Sequence, residues 1–360
     1  MKHHATAFTV AFYLLLTACA GPVTMAPQGN NAEIQREAEL QKQIAYKQYV
    51  ADQDRLFSIA FPIRAANTAF CGNAVEPMHG MTAWSVHTVK PNYRNAVRAL
   101  YNLQDRLAVQ YVADNGPAAR AGIRSGDFIL AINGIDIPPG PKALEASSQI
   151  LKRANGNAST LTLGRGKRTI TANIQPVSGC AFPVLLDYDS SEINAFADGS
   201  RIVVSKGILR FASNDNEIAL VVAHELAHNA LDHVGKQRGN AMAGGFGGLV
   251  VDSLLAAAGV STGGQFSQLG GQLGASQHAV GFEQEADYVG LYFMERAGYK
   301  SRGATDFWRR MAAENPNSIM TRSSHPTSAE RFIAIEKTEQ EIAAKKSRGQ
   351  KLEPNMARKR

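Results

Sequence analysis

His224-Glu225-Leu226-Ala227-His228 holds the residues of this 360-residue chain whose types and spacing point most directly to chemistry. Residues four apart on a helix lie about 40° from one another, so both imidazoles can face one metal ion. Glu225 sits one step round, within reach of a water on that ion. A zinc ion lowers the pKa of bound water to about 7, and a glutamate can take its proton as the oxygen attacks a carbonyl. The spacing Asn214-x-x-Glu217 is that of a capping box, and an apolar-periodic run follows from Ile218 to His233. The motif is therefore expected on a capped, buried helix.

A catalytic zinc takes three protein ligands and keeps one position open. A third histidine six residues after His228 is excluded, because Val234 stands there. The next candidate is Gly281-Phe-Glu283-Gln-Glu285-Ala-Asp287, in which Glu283 and Asp287 share a helix face. Glu283 could ligate while Asp287 accepts from the far nitrogen of a bound histidine. Either this, or a solvated acidic face, accounts for the pair. His233 falls well off the metal face of a continuous helix and reads as structural.

The elements around the motif come next. Ala32–Val50 and Asp54–Phe70 read as two helices. Leu107–Val112 is strand-like, and Asn115–Gly122, Ile123–Asp127 and Phe128–Gly134 give a turn, a short Ala-rich helix, a Gly-Asp turn and a strand. This stretch resembles a PDZ domain, with Leu144–Ala154 as its second helix and Thr160–Leu163 and Arg168–Ile174 as closing strands. A PDZ groove adds a peptide to a sheet edge beside a glycine-containing loop. The expected loop, Ala99–Leu103, has no glycine, so the module is either a spacer or a binder of internal segments. Ile193–Ala197 and Arg201–Ser205 are short strands around an Asp198-Gly199 turn. Arg201, Ile202, Val203, Val204 and Ser205 are expected to form the edge strand that holds substrate extended. Residues 241–276 carry ten glycines and one charge, Asp252, which predicts a buried helical hairpin or a loop near the site rather than a membrane span.

At the N-terminus, Phe8–Leu16 is an apolar run of signal-peptide length ending in Leu16-Thr17-Ala18-Cys19, which resembles a bacterial lipobox. Cys19 is then the lipidated first residue of the mature chain, and Ala20, where inner-membrane retention uses Asp, favours the outer membrane. Export places Cys71 and Cys180, which flank the PDZ-like module, in an oxidising compartment. They are either a disulfide clamping the insertion or two buried thiols. The net charge of +7 gathers at residues 345–360, where seven cations face Glu353 alone. The body is neutral, so a nucleic-acid groove is excluded. The tail is either a solvated end or a contact for an anionic surface.

Four phrases in order, NAFADGSRIVVSKGIL, HELAHNALDH, FEQEADYVG and SSHPTSAERF, resemble the HtpX-like and CAAX-prenyl-protease family of gluzincin zinc peptidases, in its soluble BepA-like branch. The resemblance covers residues 180 to 336. It implies an α+β fold: a mainly helical zincin-like metallopeptidase domain with a small edge-strand sheet, interrupted by the PDZ-like β-rich insertion. It implies one Zn2+ per chain on His224, His228 and Glu283, with Glu225 as base and Asp287 orienting a histidine. His325, in the His-Pro phrase, is either a turn histidine or a fourth ligand that latches the resting site, and Arg331 would then lie near the cleft. The expected organisation is a signal peptide at 1–18, a tether at 19–31, N-terminal helices at 32–90, the PDZ-like domain at 91–177, the peptidase at 178–344 and the basic tail at 345–360. The expected substrates are unfolded or misassembled envelope proteins. Two other readings stay open: a client-binding assembly factor that rarely cuts, and a PDZ scaffold with a vestigial peptidase domain.

Overall fold

The computed structural model describes residue 24 and residues 26–257, 262–276, 279–314 and 329–356. The expected signal peptide, Cys19 and His325 lie outside the described residues. The chain divides into two compact units, 1–41 and 42–360; in its described part the first holds the leading turns of a long helix, and the second holds everything below.

Helix α1 runs unbroken over Asn31–Ala66, where two helices were expected. The polar stretch Ala51-Asp-Gln-Asp54 contains no glycine or proline, so nothing in it interrupts the backbone ladder. Strand β1 (Val75–Met78) and strand β2 (Met81–Trp84) follow, then α2 (Arg94–Tyr101), β3 (Ala108–Val112), α3 (Pro117–Arg120), β4 (Phe128–Ile132), β5 (Ile135–Asp136), α4 (Ala143–Arg153), β6 (Ser159–Arg165), β7 (Arg168–Ile174) and β8 (Val177–Cys180). A sheet ordered β2-β3-β4-β6-β7, with β5 beside β4, packs α4 over a core of Leu107, Val109, Ile129, Ile132, Leu161 and Leu163.

This sheet begins at Met81 rather than at the expected 91. Strand β2 forms its edge, and a cleft of about 650 Å³ opens between β2 and α4, lined by Met81, Ala83, Ile132, Leu144, Ser147 and Leu151. The turn entering the groove strand is His79-Gly80, with Gly80 at φ +71°, not Ala99–Leu103, most of which is helical in α2. A Cβ on Gly80 would also meet Pro117 Cδ at 3.0 Å.

The insertion has a pinned neck. β1 pairs antiparallel with β8, Val75 opposite Cys180, and Cys71 and Cys180 are joined by a disulfide. Arg64 of α1 donates to the Cys180 carbonyl at 2.9 Å and pairs with Glu76. With the cysteines 109 positions apart in sequence, the cross-link removes chain entropy from the unfolded state worth about 4–5 kcal/mol.

The second body of the unit comprises β9 (Val184–Asp187), β10 (Ala195–Ala197), β11 (Ile202–Ser205), α5 (Lys206–Phe211), α6 (Asp215–Ala230), α7 (His233–Ala257), α8 (Gln265–Ser276), α9 (Ala279–Arg296), α10 (Ala304–Glu314) and α11 (Ala329–Ser347). Its sheet is ordered β10-β11-β9. Arg201–Ser205 is therefore not an edge strand: β11 pairs antiparallel with β10 and parallel with β9, so its backbone groups are engaged on both sides. Among the described strands, β10 is the terminal one beside β11.

Two further expectations change. The glycine-rich segment does form a helical hairpin, α7 and α8, but it is not buried: Met242, Phe246, Leu249 and Leu254 are at least half exposed. Asp252 is buried because it caps α8, accepting from Ser267 N at 2.8 Å and Phe266 N at 3.3 Å. No helix among the described residues is long and apolar enough to cross a membrane. The basic tail, in its described part, is docked rather than free. Lys345 donates to the Glu353 carbonyl and pairs with Glu341, Lys346 pairs with Glu295, and Leu352 packs on the core. Local carboxylates thus neutralise cations that the sequence presents as a run.

Candidate metal centre

The site begins with the cap of α6. Asn214 Oδ1 accepts from Asn216 N and Glu217 N, while Glu217 reaches back to Ser213 N at 2.7 Å. The helix then runs apolar and buried from Ile218 to Asn229. His224, Glu225 and His228 are therefore all inside the protein, and both histidines face carboxylates of α9.

Helix α9 approaches closely because Gly290 faces His224: a Cβ there would lie 3.0 Å from the His224 backbone. Glu283, Asp287 and Gly290 recur at helical spacing, so the glycine that admits α6 shares a face with both carboxylates. The result is a triangle of donors. His224 Nε2 lies 3.1 Å from His228 Nε2 and 3.5 Å from Glu283 Oε2, and His228 Nε2 lies 3.3 Å from Glu283 Oε1. Nitrogen and oxygen ligands about 2.0–2.2 Å from a tetrahedral ion stand about 3.3–3.5 Å from each other. His224, His228 and Glu283 are buried with their ligand atoms all within 4.8 Å of one another, so the residues present fit zinc.

A layer of charge surrounds the triangle. His224 Nδ1 lies 3.1 Å from Asp287 Oδ1. Arg331, from α11, grips Asp287 with two bonds of 2.8 and 2.9 Å and reaches Glu283 Oε2 at 3.2 Å. Its guanidinium lies over Trp308, which also packs on the His224 ring. Arg331 thus lies beside the triangle, buried behind its carboxylates, and its reach is taken up by the bidentate pair. Burial pulls the His224 imidazolium down, but Asp287 and Glu283 outweigh it and hold it up to about 10. Burial pushes the Asp287 carboxyl up, and Arg331 and then His224 overcome it, holding it below its ordinary value. The two carboxylates thus favour positive charge between them.

Two more groups join the site that the sequence reading left out. Asn229 accepts from Gly199 N at 2.9 Å and donates to the Arg201 carbonyl at 3.0 Å, which ties the β10–β11 turn to α6. His233 is not on α6 at all. Asp232 takes φ +54°, the helix stops at Ala230, and His233 opens α7. Its Nδ1 lies 3.0 Å from His228 Nδ1 and its Nε2 lies 2.9 Å from Glu285 Oε2. Burial, then the neighbouring His228, push the His233 imidazole down to about 4. The signal available in the sequence was Leu231-Asp232, a pair that can end one helix and cap the next.

A family model described as Peptidase family M48 matches residues 167–339, and one described as PDZ domain matches residues 109–163. Among curated proteins the chain is similar to the mitochondrial metalloendopeptidase OMA1 of Schizosaccharomyces pombe, 32% identical over 148 residues, 40% of this chain and 42% of that protein. It is similar to the beta-barrel assembly-enhancing protease of Escherichia coli O157:H7, 30% identical over 132 residues, 34% of this chain and 27% of that protein. It is likewise similar to the metalloprotease LoiP of Escherichia coli strain K12, 32% identical over 149 residues, 40% of this chain and 58% of that protein. The chain thus spans less than two thirds of the length of each of these relatives. It carries a Peptidase family M48 domain and a PDZ domain.

Proposed function

We propose that this M48-type chain is a zinc-dependent endopeptidase of the bacterial cell envelope, anchored through Cys19 on the periplasmic side of the outer membrane, that degrades misfolded or misassembled envelope proteins. The observation that carries the reading is the buried triangle of His224, His228 and Glu283, whose edges of 3.1, 3.3 and 3.5 Å suit one tetrahedral ion. Bound zinc supplies a Lewis acid that polarises a carbonyl and acidifies a water. Glu225, next to His224 on the same buried helix, takes the proton of the attacking water and returns it to the departing amine. Arg331 and Asp287 keep the ligand set in register.

Strand β10 is the element suited to substrate. Among the described strands β10 ends the sheet, Phe196 is exposed on it, and Asn229 ties the hairpin to α6. Main-chain pairing along β10 reads backbone more than side chains, which suits unfolded clients. The PDZ cleft between β2 and α4 can take a second extended segment by strand addition. The similarity to a beta-barrel assembly-enhancing protease supports clients among outer-membrane proteins. On this reading His325 is the fourth ligand that restrains the resting enzyme.

The test is cleavage of casein by the purified full chain. Activity is expected to vanish with a zinc chelator and in Glu225→Gln, a variant that keeps one zinc. Cleavage that survives Glu225→Gln rejects the mechanism. Client binding without any cutting gives the assembly-factor reading its place.

A further inference from the structure

His228 holds its side of the triangle with only one of its ring nitrogens, and the other is met by a group that α7 exists to deliver. On a continuous helix a residue five positions after His228 would sit about 140° round from it, facing away. The left-handed Asp232, φ +54°, ends α6 and turns the chain back. Asp232 also caps the new helix, its Oδ1 accepting from Gly235 N at 3.2 Å. The first residue of α7 is thereby brought under the His228 ring. His233 is fully buried there, with Phe282 stacked on it at 4.7 Å and 23°. Phe282 and Glu285 are three apart on α9, so one face of that helix supplies both the wall of the His233 pocket and its polar partner. Glu283, two residues before Glu285, points the other way, to the triangle.

We infer that Glu285 and His233 form a relay that orients His228 and fixes its tautomer for the metal, a role nothing in the HExxH motif encodes. The inference rests on the zinc reading above. The direction of each hydrogen bond follows from what the groups can offer. Glu285 is a carboxylate and accepts, so His233 donates from Nε2–H across 2.9 Å. A neutral His233 then has only a lone pair on Nδ1, so His228 donates from Nδ1–H across 3.0 Å. That leaves His228 Nε2 without a proton, at the atom facing Glu283 and His224. His224 reaches the same state through Asp287 on its Nδ1. The two histidines are thus set by different devices: one by a buried carboxylate alone, the other by a second imidazole whose carboxylate is half exposed, at 45% side-chain exposure. His233 and Glu285 are positioning residues, since neither touches the reacting atoms.

The direct test needs no variant. In full-length zinc-loaded protein with 15N-labelled histidine, long-range proton–nitrogen spectra should show His233 as the Nε2–H tautomer and His228 as Nδ1–H with Nε2 metal-bound. His233 found as the Nδ1–H tautomer overturns the relay, because it would then donate to His228. Variants give the energetic counterpart by chelator competition. His233→Phe keeps an aromatic ring against Phe282 but cannot accept, and should weaken zinc binding about 10- to 100-fold. His233→Asn restores an acceptor near the Nδ1 position and should recover most of that loss, and Glu285→Gln, which still accepts, should stay close to wild type. Equal zinc affinity in wild type and His233→Phe rejects the relay. Should His233→Phe fail to fold, the tautomer spectrum and the Glu285→Gln against Glu285→Leu comparison decide. Failure of the zinc reading is distinguishable, since wild type would then bind no stoichiometric zinc.

Discussion

Removing Arg331 should damage the metal-free peptidase core more than any other single polar substitution. The guanidinium is 3% exposed and its partner Asp287 is 2% exposed, joined by two bonds of 2.8 and 2.9 Å, with Glu283 at 3.2 Å. Breaking a buried pair by deleting one member leaves the other charged and poorly solvated, which costs about 3–5 kcal/mol. Against a typical total of about 5–15 kcal/mol, Arg331→Leu should be close to unfolding at ordinary temperature. Arg331→Lys should fall between, since an ammonium is a point charge and cannot span both carboxylate oxygens. Pairing Arg331→Leu with Asp287→Asn removes both charges and should recover a good part of the loss. Trp308 provides the assay, because it lies 5.8 Å from the guanidinium and 5.3 Å from the His224 ring. With Trp84→Phe as background, urea unfolding followed by tryptophan fluorescence in chelator reports this core alone. A loss under about 1 kcal/mol, the size of an exposed pair, would refute the argument. So would a double variant no more stable than the single.

Three other outcomes follow from the chain. Asp198 accepts from Ser200 and Arg201 in the β10–β11 turn, and these bonds, the Ser200 hydroxyl first, hold its carboxyl below the ordinary 3.8. A depressed pKa gives stability that is complete above pH about 4 and lost as pH falls, so the protection of the Ser200 and Arg201 amides, relative to their intrinsic exchange rates at each pH, should fall in acid. Equal protection at pH about 6 and about 3 would reject that. Metabolic labelling with a palmitate analogue should tag wild type and spare Cys19→Ser; equal labelling of both rules out the anchor. His325→Ala should keep its zinc and gain basal casein cleavage, and a folded, metallated variant with less activity would make His325 a participant instead of a latch.

The sequence carried the parts of this molecule that depend on local spacing. HExxH on a capped apolar helix, Glu283 and Asp287 one turn apart, and the Pro-Ala-Ala and Gly-Asp phrases of the PDZ domain each reflect contacts within a few residues. What it hid depends on pairing at a distance. Whether Arg201–Ser205 is an edge or a centre is decided by β9, which hydrogen-bonds to it in parallel from residues 184–187. Its alternation alone is silent on this. The first PDZ strand lies ahead of α2 because β2 closes the sheet from outside the recognisable phrase. His233 read as structural because a helical wheel assumes that the helix continues, and one left-handed aspartate breaks that assumption. Arg331 could be placed on a helix but not in the core, since its partners are 44 and 48 residues away in sequence.

The two halves of unit 42–360 are joined more tightly than a linker would join them. Helix α1 puts Leu56, Ile59 and Ile63 into the core that holds α6 and α9, while Phe57 and Phe61 on its other side pack with Met78, Ala113 and Val177 of the insertion. Phe61 also touches the turn that leads into the groove, at the spot where only a glycine fits at residue 80. At its C-terminal end the same helix is held to α9, where Asn67 donates to the Phe293 carbonyl at 3.0 Å and Arg296 donates to the Ala66 carbonyl at 2.9 Å. Add the β1–β8 pairing and the disulfide, and a helix, a strand pair and a covalent bond all brace one neck. A freely swinging domain would gain nothing from them. Their physical effect is to hold the β2–α4 cleft in a set relation to the helix pair that carries His224, His228 and Glu283; under the proposed function, a client segment caught in one would be delivered to the other without the entropy loss of stilling a flexible arm.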